Sequence, residues 1–311
     1  MGTVPVPNPG PGEVLIRVTH AGINFKDVMM RRVDPGYVPA WPVVPGLEVI
    51  GEIVRVGDDV RDLVAGTRVA ALTNTGGLAE YVVAREALTV RVPDGVPPEI
   101  AAVIPGVWST AWLLLHEAAR VRAGDTILVH SASGAVGTAI AAIAATIKKT
   151  RLLGAVGPPR RIEDATLAGY PHAFVRDEHL VDAVRSRTGE RGVDIVLDPQ
   201  GTTWLEPDLR MLAPAGRIVL FGNASGAPLD SVDAGRLYAT NGAVGCFSIG
   251  GLSGTAPTLV RSAMEAVLDL ISDSDITPRA TVAQGLSQAS VRQQSLADGS
   301  AKEKHVIQLA T

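Results

Sequence analysis

The segment VHSASGAVGTAI, residues 129–140, is the most informative part of this chain about its fold class. It follows the β-like run at 126–129 and leads into a stretch rich in Ala and Ile, which is typical of a buried helix. A strand, a tight turn of small residues and a helix form the usual cradle for the pyrophosphate of a dinucleotide. The fingerprint is degenerate, because Ala132 stands where the first glycine is expected, before Gly134 and Gly137. A small-residue turn of an α/β fold without a nucleotide is the alternative interpretation.

The pattern around this segment alternates between strands and helices. We predict helices at about 107–119, 135–147 and 202–212, and strands at 126–130, 151–156, 193–198 and 217–221. This alternation predicts a parallel, doubly wound Rossmann sheet over 106–246. The first hundred residues instead show short alternating strands separated by Gly, Pro and Asp, which predicts a β-rich domain. After about 246 we predict one helix and a final strand, so residues 1–105 and 247–311 are expected to form the second domain of this α/β protein.

Composition and charge exclude several classes of function. The 311 residues are 46% hydrophobic and 19% charged, which is typical of a globular protein with room for two cores. The net charge of −4 and the absence of a basic run argue against a nucleic-acid partner. The most apolar windows are interrupted before 18 residues, so we expect no membrane span. A single cysteine and the lack of a signal-peptide pattern lead us to expect a cytoplasmic protein.

The segment after the strand at 151–156 indicates which dinucleotide is bound. A NAD site requires a carboxylate there to accept hydrogen bonds from the ribose 2′-hydroxyl. This chain instead continues as GPPRR, residues 157–161, with no carboxylate before Glu163. Arg160 and Arg161 stand where a 2′-phosphate would be held, which favours NADPH.

Six segments occur in the order found in one known superfamily. They are AGINFKD, GLEVIGEIVRVG, AGTRVAAL, HSASGAVG, ERGVDIVLDPQG and LAPAGRIVLFGNASG, and the likeness extends from about Gly12 to the last strand. The chain thereby resembles the medium-chain dehydrogenase/reductase superfamily, in particular its zinc-free quinone oxidoreductases and the enoyl reductase domains of polyketide synthases. The resemblance implies a GroES-like catalytic domain interrupted by a Rossmann domain, and it implies a homodimer.

The resemblance also assigns roles to residues. Asn24 corresponds to the asparagine near the nicotinamide and substrate, and Thr110 to a threonine at the domain junction. The remaining cofactor positions implied are Ser133, Gly134, Ala135 and Val136 at the pyrophosphate, Gly157, Arg160 and Arg161 at the 2′-phosphate, and Phe221, Gly222 and Asn223 beside the nicotinamide.

Departures from the superfamily limit what can be carried over. The zinc enzymes have a Cys in the first motif and Gly-His-Glu in the second, whereas this chain has Ile23-Asn24 and Leu47, so we predict no zinc. A tyrosine of the quinone reductases is replaced by Met29, and another by Val175. An arginine near the C-terminus is absent, with Gly299 at about that position.

Four other residues have expected roles that do not depend on the cofactor. Tyr37 and Trp41 lie in a loop after the Asn24 motif, where they either contact substrate or cover the local core. His130 ends a buried strand and is expected to be a hydrogen-bonded core residue, and Cys246 is expected to be a small buried residue.

These observations predict an NADPH-dependent, zinc-independent reductase of an activated C=C bond in an enone, a quinone or an enoyl thioester. The substrate is a small molecule, free or carried on an acyl carrier. The alternative is a non-catalytic NADPH-binding protein on the same fold, because fold does not fix function.

Overall fold

The computed structural model describes residues 2–34, 36–37, 41–274 and 276–309. The chain divides into two compact units, one formed by Met1–Ser109 and Ile249–Thr311 and the other by Thr110–Ser248. The first unit contains a mixed sheet and the second a parallel sheet with helices, so the fold is α/β with a GroES-like and a Rossmann domain, as predicted.

The first part of the GroES-like unit is a series of antiparallel strands. They are β1 (Glu13–Ile23), β2 (Glu48–Val56), β3 (Arg68–Leu72), β4 (Tyr81–Arg85) and β5 (Thr89–Arg91), with helix α1 (Phe25–Arg32) after β1. Apolar side chains on one face of these strands form the core, including Val14, Ile16, Val49, Ile53 and Val69, all of them fully buried. The alternating sequence pattern therefore forms strands because one face can be buried against this core.

A helical run connects the strands to the second unit. It comprises α2 (Pro98–Ala101), a π-helical segment (Ile104–Trp108), α3 (Ser109–Leu113) and a second π-helical segment (Leu114–Ala118). The helix predicted at about 107–119 thus begins earlier than its periodicity indicated. By length and composition Pro98–Ala118 could cross a membrane, but 83% of its most apolar window is buried inside the protein, as in a core helix.

The second unit alternates strands and helices on a parallel sheet. Its elements are β6 (Thr126–His130), α4 (Ala135–Ala144), β7 (Arg151–Val156), α5 (Ile162–Leu167), β8 (His172–Val175), α6 (Leu180–Arg187), β9 (Val193–Asp198), α7 (Leu205–Met211), β10 (Leu212–Leu220), α8 (Ala234–Thr240) and β11 (Ala243–Cys246). The described strands are ordered β11-β10-β9-β6-β7-β8, and every pair is parallel. This is the doubly wound order of dinucleotide-binding domains.

The C-terminal segment contains more structure than one helix and one strand, so that prediction was wrong. It forms α9 (Ile249–Thr255), α10 (Pro257–Asp273), β12 (Ala280–Gln284), α11 (Ala289–Ala297) and β13 (Lys304–Gln308). β13 pairs antiparallel with β1 and parallel with β12, which gives a sheet path of β12-β13-β1-β2-β3-β5 with β4 on β1. The short, largely polar β12 and α11 lack a strong period, because little of either is buried.

Candidate active site

In the Rossmann unit the predicted cofactor residues follow the carboxyl ends of neighbouring strands. β6, β7, β9 and β10 end at His130, Val156, Asp198 and Leu220. The strand order reverses between β6 and β9, and ligands of such sheets bind outside the carboxyl ends at this point. The segments that follow these four strands contain most of the predicted positions: Ser133, Gly134, Gly157, Arg160, Arg161, Phe221, Gly222 and Asn223.

The turn before α4 exposes helix N–H groups without a side-chain cap. Gly134 is the N-cap in an extended conformation, and no side chain among the described residues caps the first turn. The N–H groups at Ala135 and Val136 therefore resemble the anion-binding helix N-termini of nucleotide-binding proteins.

Ala132 is accommodated by the surrounding backbone. It is fully buried, and a Cβ added to Gly154 on β7 would lie 2.9 Å from the Ala132 Cβ. A Cβ at Gly137 would lie 2.4 Å from the Ala132 carbonyl oxygen, so only glycine fits there. The degenerate fingerprint thus keeps the close helix–strand packing because Gly154 leaves room for the alanine methyl group.

The two arginines after β7 lie in different environments. Arg161 donates from Nε to Ser133 Oγ (3.1 Å), from one terminal nitrogen to the Ser133 carbonyl (3.3 Å) and from the other to Asp164 (2.9 Å). The Arg160 side chain is exposed and has no hydrogen bond or ion pair to another residue that the structure describes. A guanidinium has five N–H donors, so the partly buried Arg161 keeps two of them for a ligand while it is fixed to the turn.

A charged cluster is buried beneath the carboxyl ends of β6 and β9. His130 Nε2 contacts Asp208 Oδ1 at 2.8 Å, and both side chains are fully buried, which confirms His130 as a hydrogen-bonded core residue. Burial disfavours the imidazolium, but the attraction and the hydrogen bond to Asp208 outweigh it and raise the pKa of His130. Burial also raises the pKa of Asp198 to about 6, although His130 and Arg176 oppose this change.

In the GroES-like unit Asn24 belongs to a buried polar network. Its Nδ2 donates to Glu48 Oε1 (3.0 Å) and to the Gly22 carbonyl (3.3 Å), and its Oδ1 accepts from Lys304 Nζ (2.6 Å). Glu48 is fully buried; its Oε1 lies 2.7 Å from Lys304 Nζ, and its Oε2 accepts from the Gly106 N–H at 2.7 Å. The amide of Asn24 is therefore held from both ends.

Asp27 fixes the backbone that carries Asn24. Its two carboxylate oxygens accept from the N–H groups of Asn24 (2.7 Å) and Gly46 (2.9 Å), which caps α1 and ties it to the loop before β2. The side chain is buried, and this burial raises the pKa of Asp27 despite both hydrogen bonds.

The residues at the superfamily's metal position do not fit zinc. Asn24 and Leu47 supply neither thiolate nor imidazole, and the Lys304 ammonium lies against the Glu48 carboxylate. A cation of the protein already neutralises this carboxylate, which leaves no anionic ligand for a zinc ion among these residues.

The other predicted residues are placed as follows. Thr110 is buried on α3, Tyr37 is half-buried in the turn after α1, and Trp41 is 61% exposed. Met29 is buried within α1. Cys246 is exposed, so its prediction as a buried residue was wrong; it ends β11, which pairs on one side only and therefore lacks a cover.

Sequence reasoning missed Glu48 and Lys304. Charged residues inside the otherwise apolar strand patterns EVIGEIV and KHVIQL were the available signal, since charges are rarely fully buried unless paired.

Both units have counterparts in known families of dehydrogenases. Residues 10–94 match the alcohol dehydrogenase GroES-like domain and residues 135–273 the zinc-binding dehydrogenase family. The synaptic vesicle membrane protein VAT-1 homolog of Rattus norvegicus is 33% identical over 290 residues, which cover 88% of this chain and 71% of that protein.

Two solved structures have the same fold over nearly their full length. A mycobacterial protein complexed with NADPH is 29% identical with a TM-score of 0.89, covering 99% of this chain and 94% of that one. Quinone oxidoreductase of Escherichia coli complexed with NADPH is 25% identical with a TM-score of 0.88 and the same coverage. The chain belongs to the medium-chain dehydrogenase/reductase superfamily, in its quinone oxidoreductase-like group.

Proposed function

We propose that the protein is an NADPH-dependent reductase that transfers hydride to an activated C=C bond without zinc. The observation that carries the proposal is the segment after β7, which offers Arg160 and Arg161 and no carboxylate in the place that selects between the two dinucleotides. The NADPH complexes of two similar proteins support it.

The residues of the carboxyl edge fit the parts of this cofactor. The uncapped start of α4 suits the pyrophosphate, and the free N–H groups of Arg161 with exposed Arg160 suit the 2′-phosphate. Bound NADPH would supply a hydride from nicotinamide C4 to the β-carbon of an enone, a quinone or an enoyl thioester.

Asn24 is the proposed catalytic residue. Reduction at the β-carbon leaves negative charge on the substrate oxygen, which a preorganised donor stabilises. The bond from Asn24 Nδ2 to the Gly22 carbonyl is long at 3.3 Å, so a substrate oxygen that approaches this N–H can replace the carbonyl as its acceptor while the bond to Glu48 persists. The proton for the α-carbon comes from water or another acid, because Met29 cannot donate one.

The test measures NADPH oxidation at 340 nm with small enones, quinones and an enoyl thioester, alongside NADPH affinity. We expect turnover with at least one class and stronger binding of NADPH than of NADH. Binding without turnover across the panel would instead support the second candidate, a non-catalytic NADPH-binding protein, which the buried Met29 in place of a tyrosine favours. Absence of NADPH binding would exclude both.

We also propose a cytoplasmic homodimer. β11 is an edge strand with largely exposed residues, and Leu229 and Tyr238 nearby in the chain are 64% and 89% exposed. An uncovered edge strand can pair with a second copy. Light scattering should give twice the 32.3 kDa of one chain, and a mass of one chain would reject the dimer.

A further inference from the structure

Lys304 is a buried lysine in the GroES-like unit whose hydrogen bonds are all made within the protein. It is 6% exposed and begins β13. Its ammonium donates to the Ile23 carbonyl (2.8 Å) and to Asn24 Oδ1 (2.6 Å), and it lies 2.7 Å from Glu48 Oε1. An ammonium has three hydrogens, so these partners use its full donor capacity.

The charges of Lys304 and Glu48 select one orientation of the Asn24 amide. The amide oxygen faces the ammonium, and the amide nitrogen faces the carboxylate. Rotation of the amide by 180° would place its NH2 group against the ammonium and its oxygen against the carboxylate, and both contacts would be repulsive. In a buried setting such contacts are costly.

We propose that Lys304 is a positioning residue that fixes the amide of Asn24 for catalysis. This inference rests on the proposed function of Asn24. With Oδ1 held by Lys304, the Nδ2 hydrogens point away from it, and the one on the long bond to Gly22 stays available as a donor. Without the ammonium, the amide can rotate and present its oxygen, which cannot stabilise an anionic substrate.

The fold makes space for this ion pair. A Cβ on Gly22 would lie 2.4 Å from Glu48 Oε1, so a larger residue at this position of β1 would displace the carboxylate. The Gly106 N–H holds the second carboxylate oxygen at 2.7 Å. Glu48 is therefore fixed from three directions, and its charge requires the Lys304 counter-ion.

The experiment compares Lys304→Met, Asn24→Ala and the variant carrying both. We expect Lys304→Met to lower kcat by roughly 10- to 100-fold, because a displaced catalytic group loses about this much, while the Kd of NADPH changes by less than about 3-fold. Added to Asn24→Ala, Lys304→Met should cause no further loss of kcat, since it acts through the same amide. Lys302→Met removes the same charge at an exposed position two residues away and should leave kcat unchanged.

A double variant and an NMR measurement extend this experiment. The double variant Lys304→Met, Glu48→Gln removes both buried charges and so leaves no unpaired charge inside the protein. It replaces Lys304→Met in the test if that single variant does not fold, and the same loss of kcat is expected. In the apo protein, the Asn24 side-chain NH2 signal, identified by its loss in Asn24→Ala, should shift and exchange faster with water in these lysine variants.

Additive losses in the double variant, or an unchanged Asn24 NH2 signal, would overturn the positioning role. The NMR measurement needs no substrate, so its outcome is independent of whether the wild-type protein reduces any compound in the panel. A failed proposal of function is thus distinguished from a failed proposal of positioning.

Discussion

Replacing Asp198 with asparagine should stabilise the protein at neutral pH. Asp198 is fully buried at the end of β9, and burial raises the pKa of its carboxyl group from an ordinary value of 3.8 to about 6. One pKa unit corresponds to about 1.4 kcal/mol, so ionisation of this carboxyl group lowers the free energy of unfolding by about 3 kcal/mol at a pH above both values. Asparagine has the same shape, carries no charge and keeps an oxygen for the Gln200 N–H.

The sign of the pH dependence follows from the raised pKa. A raised folded-state pKa contributes stability below pH 3.8, and this contribution is lost as pH rises through about 6. The free energy of unfolding of Asp198→Asn should therefore match wild type near pH 4 and exceed it by up to about 3 kcal/mol at pH 8.

Denaturant unfolding followed by circular dichroism between pH 4 and 8 measures this difference. Asp194→Asn on the same strand is the matched control with opposite sign. Burial opposes ionisation of Asp194, but hydrogen bonds from Arg191 and the Thr126 N–H lower its pKa on balance. Removal of the Asp194 carboxylate should therefore destabilise the protein at neutral pH and have a smaller effect in acid. An Asp198→Asn variant that is less stable than wild type at pH 8, or a stability difference that does not depend on pH, would contradict this prediction.

Three further predictions concern the cofactor, the catalytic amide and metal. Arg161→Ala should weaken NADPH binding by about 10- to 150-fold and NADH binding much less. Arg160→Ala makes the same change of charge at an exposed neighbour and should have a smaller effect. Equal losses for both cofactors in a titration would mean that Arg161 only supports the Ser133 turn. Asn24→Ala should lower kcat by roughly 100-fold or more with little change in NADPH affinity, and an unchanged rate would remove Asn24 from the mechanism. Activity should survive chelators, and about one tightly bound zinc per chain in metal analysis would contradict the interpretation of the Asn24–Lys304 site.

Much of the Rossmann unit could be predicted because its signals are local. The strands Thr126–His130, Arg151–Val156 and Val193–Asp198 have the bounds predicted from sequence, since a parallel strand buried on both faces appears as a continuous apolar run between turns. The turn from Ser131 to Gly134 is one contiguous segment, and the arginines after β7 are neighbours in sequence. The chemistry of both segments can therefore be predicted without their geometry.

The remaining features of the site depend on contacts between distant parts of the chain. Lys304 meets Asn24 across 280 positions, and no periodicity or spacing connects them. The exposure of Cys246 depends on which strand lies at the sheet edge, and the tolerance of Ala132 depends on Gly154 in the neighbouring strand. Local patterns of the sequence specify most elements of the Rossmann unit and the cofactor class, because backbone propensity and burial patterns act over a few residues. The partners of a buried charge were decided by the fold, because strand pairing brings together residues that the chain keeps far apart.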